Sequence, residues 1–216
     1  MSWPAVLVVV AAGAVGAGVG WPTRLLLARL RRGTVVGPGP VETLLGVITA
    51  AGAACALGAP TVLLVVWAGW LTVTLGIVDL RHHRLPDAIT RPAVAVSAGL
   101  IILTSLLWPG SGSLLRAFVV AGVIGVLFGL LARVSRGGLG RGDAKLVPSL
   151  ALLTGYLSVG AAVTALALAF VLGAVVALVG MAIGRLDRRS AVPFGPALLL
   201  GCWLVLAVPG LAAAVS

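Results

Sequence analysis

Residues 44–78 contain no charged side chain, and neither do residues 146–184. Uncharged runs of that length leave a chain few options, because about 20 apolar residues in a helix cross the hydrocarbon of a bilayer. In lipid every backbone polar group must also be satisfied within the protein, which leaves helices or closed barrels. The chain is 61% hydrophobic and only 9% charged, with a mean hydropathy of +1.22. A soluble domain of 216 residues could not hide so much apolar surface. The expected fold is an all-α polytopic membrane protein.

Eight spans are predicted. The first covers the N-terminus to Thr23; no basic segment precedes it, so it reads as a retained span rather than a cleaved signal. Gly58-Ala59-Pro60 divides residues 44–78 into two spans. A polar loop over residues 79–91 leads to a fourth span over residues 92–108, which reverses at Trp108-Pro109-Gly110-Ser111-Gly112-Ser113 into a fifth ending near Arg133. Residues 146–184 hold two spans of unequal length with a break between Gly155 and Gly160; one long tilted helix there would reduce the count to seven. The last span begins near Pro193. The organisation is a single integral membrane domain, with a two-span region (residues 1–59, carrying a short basic loop) ahead of a helical core (residues 60–216).

Charge supports this count. Placing the loops 21–42, 79–91, 133–145 and 185–190 on one side gathers 14 of the 15 Lys and Arg residues there, with Arg116 alone opposite. Basic loops mark the cytoplasmic side, so both termini are expected outside. The formal charge of +10 therefore reports topology, and no nucleic-acid partner is expected. Cys55 and Cys202 both fall in apolar segments and read as inert core thiols. They are too few for a zinc site, and the adjacent His82 and His83 have no acidic or thiol partner nearby, so no metal is expected. Residues 137–145 lack the lysine spacing of a phosphate-binding loop, and Arg141-Gly142-Asp143 on a cytoplasmic face cannot serve as an adhesion tripeptide.

The chain has five acidic residues. Glu42, Asp87 and Asp187 lie beside basic residues in loops, where a solvated counter-charge is the ordinary role. Asp79 and Asp143 differ, since each stands at the membrane edge of a long apolar run on the same predicted face, and charge in such a place is costly. Taken singly, Asp79 suits a helix end paired with Arg81, and Asp143 suits the N-cap of the following helix. Taken together, two carboxylates in a poorly hydrated pocket share one proton and titrate as a pair. One can then act as base on water while the other polarises a scissile carbonyl. Gly140 and Gly142 leave room for close backbone approach beside Asp143.

Gly140-Arg141-Gly142-Asp143-Ala144-Lys145-Leu146 resembles the G-x-G-D-x-K-L signature of the type IV prepilin peptidases, which are membrane aspartic peptidases. Asp79 followed by Leu85-Pro86-Asp87 is similar to their other aspartate element, and Pro193-Phe194-Gly195-Pro196 to the P-F-G-P segment that opens their last span. The resemblance covers roughly residue 60 onward. It implies a GxGD-type peptidase bundle with Asp79 and Asp143 as the catalytic pair and no cofactor. Gly140, Gly142, Lys145, Pro86, Pro193, Phe194, Gly195 and Pro196 would shape the pocket. The implied partners are the bilayer and a prepilin-like protein, whose short basic leader is cut from an apolar helix at the cytoplasmic face of a bacterial inner membrane.

Two departures stand out. Bifunctional members of that family carry a long cysteine-containing insertion between the first two spans and methylate the new N-terminus; residues 21–42 are short and hold no cysteine, so peptidase activity without methylation is expected. Pro148 lies five residues after Asp143 and is expected to kink or delay the following helix. Two other readings stay open. Intramembrane proteases of the presenilin and signal-peptide-peptidase type share the G-x-G-D aspartate, and Pro196-Ala197-Leu198 fits their Pro-Ala-Leu element, although Val78 stands where they place a tyrosine. A transporter or scaffold would need internal repeats or mid-span charge, and neither is visible.

Overall fold

The computed structural model describes residues 2–30, 34–82, 85–134, 140–184, 194–208 and 210–211. Among them lie eight α-helices: α1 (Trp3–Arg29), α2 (Pro40–Ala56), α3 (Val62–His82), α4 (Asp87–Leu107), α5 (Leu114–Val134), α6 (Arg141–Leu157), α7 (Val159–Ala182) and α8 (Gly195–Ala207). The all-α polytopic expectation holds. Residues 146–184 divide at Ser158, whose extended backbone ends α6 and whose side chain accepts a hydrogen bond from Ala161 N to start α7. Two helices therefore occupy that run.

Five helices (α1, α3, α4, α5 and α7) are long and apolar enough to cross a bilayer. The other three are shorter, with 17 residues in α2, 17 in α6 and 13 in α8. α6 is the least apolar, and its position explains how that is tolerated: it packs against α4, α5, α7 and α8, so Asp143, Ser149 and Thr154 are buried in protein, while Arg141 and Lys145 are exposed in its first turns. Its largest buried groups are Leu146, Leu153 and Tyr156, and Leu71 and Leu75 of α3 and Leu199 and Leu206 of α8 are buried with them in the main core. The outer helices turn large apolar residues outward, among them Val10 of α1, Val126 of α5 and Leu178 of α7, as surfaces meeting lipid should.

Several helices begin or run differently from the sequence reading. α1 continues through Trp21 and Pro22 to Arg29, and α2 opens at Pro40, which places Glu42 in a helix. There Glu42 accepts from Gly39 N (2.9 Å) and from Arg24 Nε (2.9 Å), tying the two N-terminal helices together. Pro148 neither delays nor ends α6, which is helical from Arg141; the proline ring lies against Gly125 of α5. Cys55 is exposed on the protein surface, so the core-thiol reading is corrected for it, while Cys202 is buried.

Polar side chains fasten the bundle internally. Trp67 and Trp70 stack with ring centroids 5.2 Å apart; the Nε1 of Trp67 donates to Ser97 Oγ of α4 (2.9 Å) and that of Trp70 to Thr23 Oγ1 of α1 (3.0 Å). Arg116, the one cation assigned to the opposite face, donates to the carbonyls of Gly155 (3.0 Å), Tyr156 (2.7 Å) and Leu157 at the C-terminal end of α6. Those carbonyls have no partner within the helix, and a cation there also complements the helix dipole. Replacing Arg116 by Met removes the side-chain donor from Gly155 and Leu157 and leaves Tyr156 with only Ser113 N (3.0 Å), so a stability loss of about 2 kcal/mol is expected. Thermal unfolding in detergent micelles measures it.

Candidate active site

α3 ends and α6, α4 and α8 begin at the same end of the bundle. Asp79 is one turn from the end of α3 and 4% exposed; Asp143 is the third residue of α6 and 7% exposed. α8 packs against both α3 and α6 and stands between them. Its first residue, Gly195, is the meeting point. A Cβ built there would stand 2.7 Å from Asp79 Oδ2 and 3.2 Å from Asp143 Oδ1. Both carboxylates thus converge on one backbone position, where an added side chain would have to push them aside, at the positive end of the α8 dipole.

The neighbouring site residues explain how this convergence is built. Gly140, not Asp143, is the N-cap residue of α6, and no side-chain capping bond forms. Asp143 instead folds back along the first turn, so a Cβ on Gly140 would lie 2.9 Å from its Oδ2. Gly142 abuts the segment joining α3 to α4, where a Cβ would be 3.1 Å from Leu85 Cβ and 3.3 Å from Leu85 N. Pro86 caps the start of α4, its carbonyl accepting from Ile89 N (3.0 Å) and Thr90 N (3.1 Å). Phe194 packs on Phe170 of α7 with centroids 5.0 Å apart and lies against Gly173. Pro196 follows Gly195 in the first turn of α8, where a missing N–H costs nothing. Pro193, His83, Asp187 and residues 137–139 lie outside the described residues.

Lys145 is not part of the carboxylate cluster. Its ammonium is bound to both oxygens of Asp87 (2.6 and 2.8 Å), and Asp87 also accepts from Arg91 (3.1 Å). The counter-charge reading of Asp87 had the role right but missed the partner 58 residues away. A hint was available: Asp87 opens α4 as Asp143 does α6, so an acid and a lysine at helix starts could meet at one end of the bundle. Among the described residues, no cluster of His, Cys, Asp and Glu is arranged to hold a metal ion. The arrangement can instead place two carboxylates on one water or one peptide carbonyl.

Two buried aspartates brought together at the mouth of an all-helical membrane bundle form its candidate site. Residues 65–178 match the model of the type IV leader peptidase family, and the chain belongs to that family. It is also 30% identical, over 135 residues, to the prepilin leader peptidase/N-methyltransferase of Xanthomonas campestris pv. campestris. That match takes in 62% of this chain and 45% of the relative, so this chain spans less than half of the relative's length. No solved structure matches.

Two adjacent buried carboxylates are costly to hold, because burial and the neighbouring acid both disfavour the charged form. Asp143→Asn keeps the shape and removes one of the two acids. The expected result is a protein stabilised by about 1 kcal/mol, on the scale of other such substitutions, read as a higher unfolding temperature in detergent.

Proposed function

We propose that this chain is a membrane aspartic endopeptidase that removes the short basic leader from prepilin-like proteins, with Asp79 and Asp143 as its catalytic pair. The observation that carries the reading is the convergence of both carboxylates on Gly195, in a chain whose family is that of the type IV leader peptidases. The peptidase core is taken as residues 60–216, with residues 1–59 as an accessory two-span region. The clustering of Lys and Arg in the loops at the carboxylate end supports a cytoplasmic orientation of that end, in a bacterial inner membrane.

The chemistry follows from sharing one proton between two acids. The ionised carboxylate takes a proton from a water molecule as the water oxygen attacks the scissile carbonyl carbon, and the protonated carboxyl gives its proton to the carbonyl oxygen. The tetrahedral intermediate then collapses: the C–N bond breaks, the protonated carboxyl gives its proton to the leaving amine, and the ionised carboxylate takes a hydroxyl proton from the intermediate as the product carbonyl forms, which restores the single shared proton. No covalent enzyme intermediate forms. The N-terminus of α8 favours the negative charge that remains on the pair throughout. Phe194 and Pro196 set the entry of α8, and Gly140 and Gly142 give the first turn of α6 its close approach. No cofactor takes part. The relative's name includes an N-methyltransferase; residues 21–42 here are short and lack cysteine, and peptidase activity alone is proposed.

The test is co-expression with a tagged prepilin-like substrate, reading leader removal by gel shift. Asp79→Asn and Asp143→Asn should each reduce cleavage by about 10³-fold, the scale of acid–base catalysis. Normal processing by either variant, in folded and membrane-inserted protein, would sink the paired-carboxylate reading. Processing of ordinary transmembrane stubs in place of the prepilin would favour a presenilin-like protease, and an added methyl mass on the mature N-terminus would overturn the peptidase-only proposal.

Gly195→Ala puts a methyl group where both carboxylates now meet. Displacement by about 1 Å is enough to lose about 100-fold in rate, so this variant should cleave far more slowly while still folding. Initial rates on the same substrate check it.

A further inference from the structure

We infer that the ion pair between Lys145 and Asp87 is a positioning device that sets the rotation of the first turn of α6, and so aims Asp143 at Asp79. The inference rests on the proposed catalytic pair. Successive helix residues are about 100° apart around the axis, so Lys145, two residues after Asp143, points to nearly the opposite side of α6. On one side of that turn Asp143 meets Gly195 of α8; on the other Lys145 grips Asp87 with both carboxylate oxygens, at 2.6 and 2.8 Å. Immediately before Asp143 in sequence, Gly142 sits against Leu85, just ahead of α4.

The grip has a second point deeper along the same seam. Ser149, one turn after Lys145 and on the same face, bonds Ser97 Oγ of α4 at 2.8 Å and reaches the Ala93 carbonyl at 3.2 Å. α4 and α6 are therefore joined at the mouth by charge and within the core by hydroxyls. α3 and α6 have no comparable seam, since the larger packing surfaces of α3 are with α2 and α8. The direction of Asp143 relative to Asp79 is thus set through α8 on one side and through α4 on the other. Asp87 is additionally held by Arg91 at 3.1 Å, which orients the carboxylate toward α6 along its own helix.

The pair is nearly half exposed, with side-chain exposures of 43% for Lys145 and 45% for Asp87, and such pairs add little to global stability. That separates an aiming role from a structural one. Purified full-length protein in detergent, assayed on a synthetic prepilin-like substrate, should lose about 10- to 100-fold in kcat on Lys145→Met or Asp87→Asn, the range expected when a reacting group is misplaced. KM and the unfolding temperature should stay put. Lys145→Arg, which keeps the charge, should recover most of the rate. The double variant should be no slower than the slower single one, because both substitutions break the same contact.

Unchanged kcat in Lys145→Met would overturn the inference while leaving the catalytic pair intact, provided Asp143→Asn is inactive in the same assay. A rise in KM alone would overturn it too, pointing to Asp87 as a contact for the basic leader. Losses that multiply in the double variant would show two independent roles. Retained activity in Asp143→Asn would instead remove the reading on which the inference rests.

Discussion

Two carboxylates buried side by side repel each other and resist the loss of water, and the packing at one end of this bundle can be understood as what holds them there. Neither aspartate sits in a charged loop where solvent would do the work. Asp79 is carried by a helix whose neighbours are mostly apolar, and Asp143 by the most polar helix of the bundle, which is enclosed by four others. α8 separates the two helices along their length and lets the two acids approach only at its own first residue. A side chain larger than hydrogen at position 195 would close that space.

The same constraint accounts for features that look unrelated. α6 carries Asp143, Lys145, Ser149 and Thr154 on a helix of 17 residues, which would be a poor membrane span if it faced lipid. Packed on four helices, α6 uses these groups within the bundle: Lys145 and Ser149 join α4, Thr154 donates to the Leu150 carbonyl, and the carbonyls at the far end are taken by Arg116. The longer and more apolar α1, α5 and α7 provide outward-facing surface. Polarity in α6 is tolerated because protein surrounds most of that helix, whereas the outer helices meet lipid with apolar side chains.

Much of this was legible in the sequence, and the reasons differ by residue. Asp79 and Asp143 stood out because charge at the edge of an apolar run is rare, and the same-face argument joined them without knowing any contact. The break inside residues 146–184 was visible as a glycine-rich interruption. Arg116 was recognised only as an exception to the charge pattern, since a helix C-terminus 39 residues away leaves no local trace in sequence. Asp143 looked like an N-cap because aspartate favours that position, yet the helix begins earlier and the side chain is needed elsewhere. Pro148 looked like a helix breaker, but a neighbouring glycine on α5 makes room for its ring. The Lys145–Asp87 pair was missed because it depends on which helix starts share an end and a side, a property of packing rather than of either segment.

The position of α8 also bears on the order of assembly. A chain inserted from its N-terminus presents α3 first, then α6, and α8 later still. Until α8 arrives, α3 and α6 are linked through α4, by the hydrogen bonds from Trp67 to Ser97 and from Ser97 to Ser149, but Gly195 is not yet in place between their acids. The two acids then belong to a half-built bundle with no shared pocket. Membrane insertion itself would act as a timer, so that the paired carboxylates come together only after the segment that separates their helices has been threaded between them.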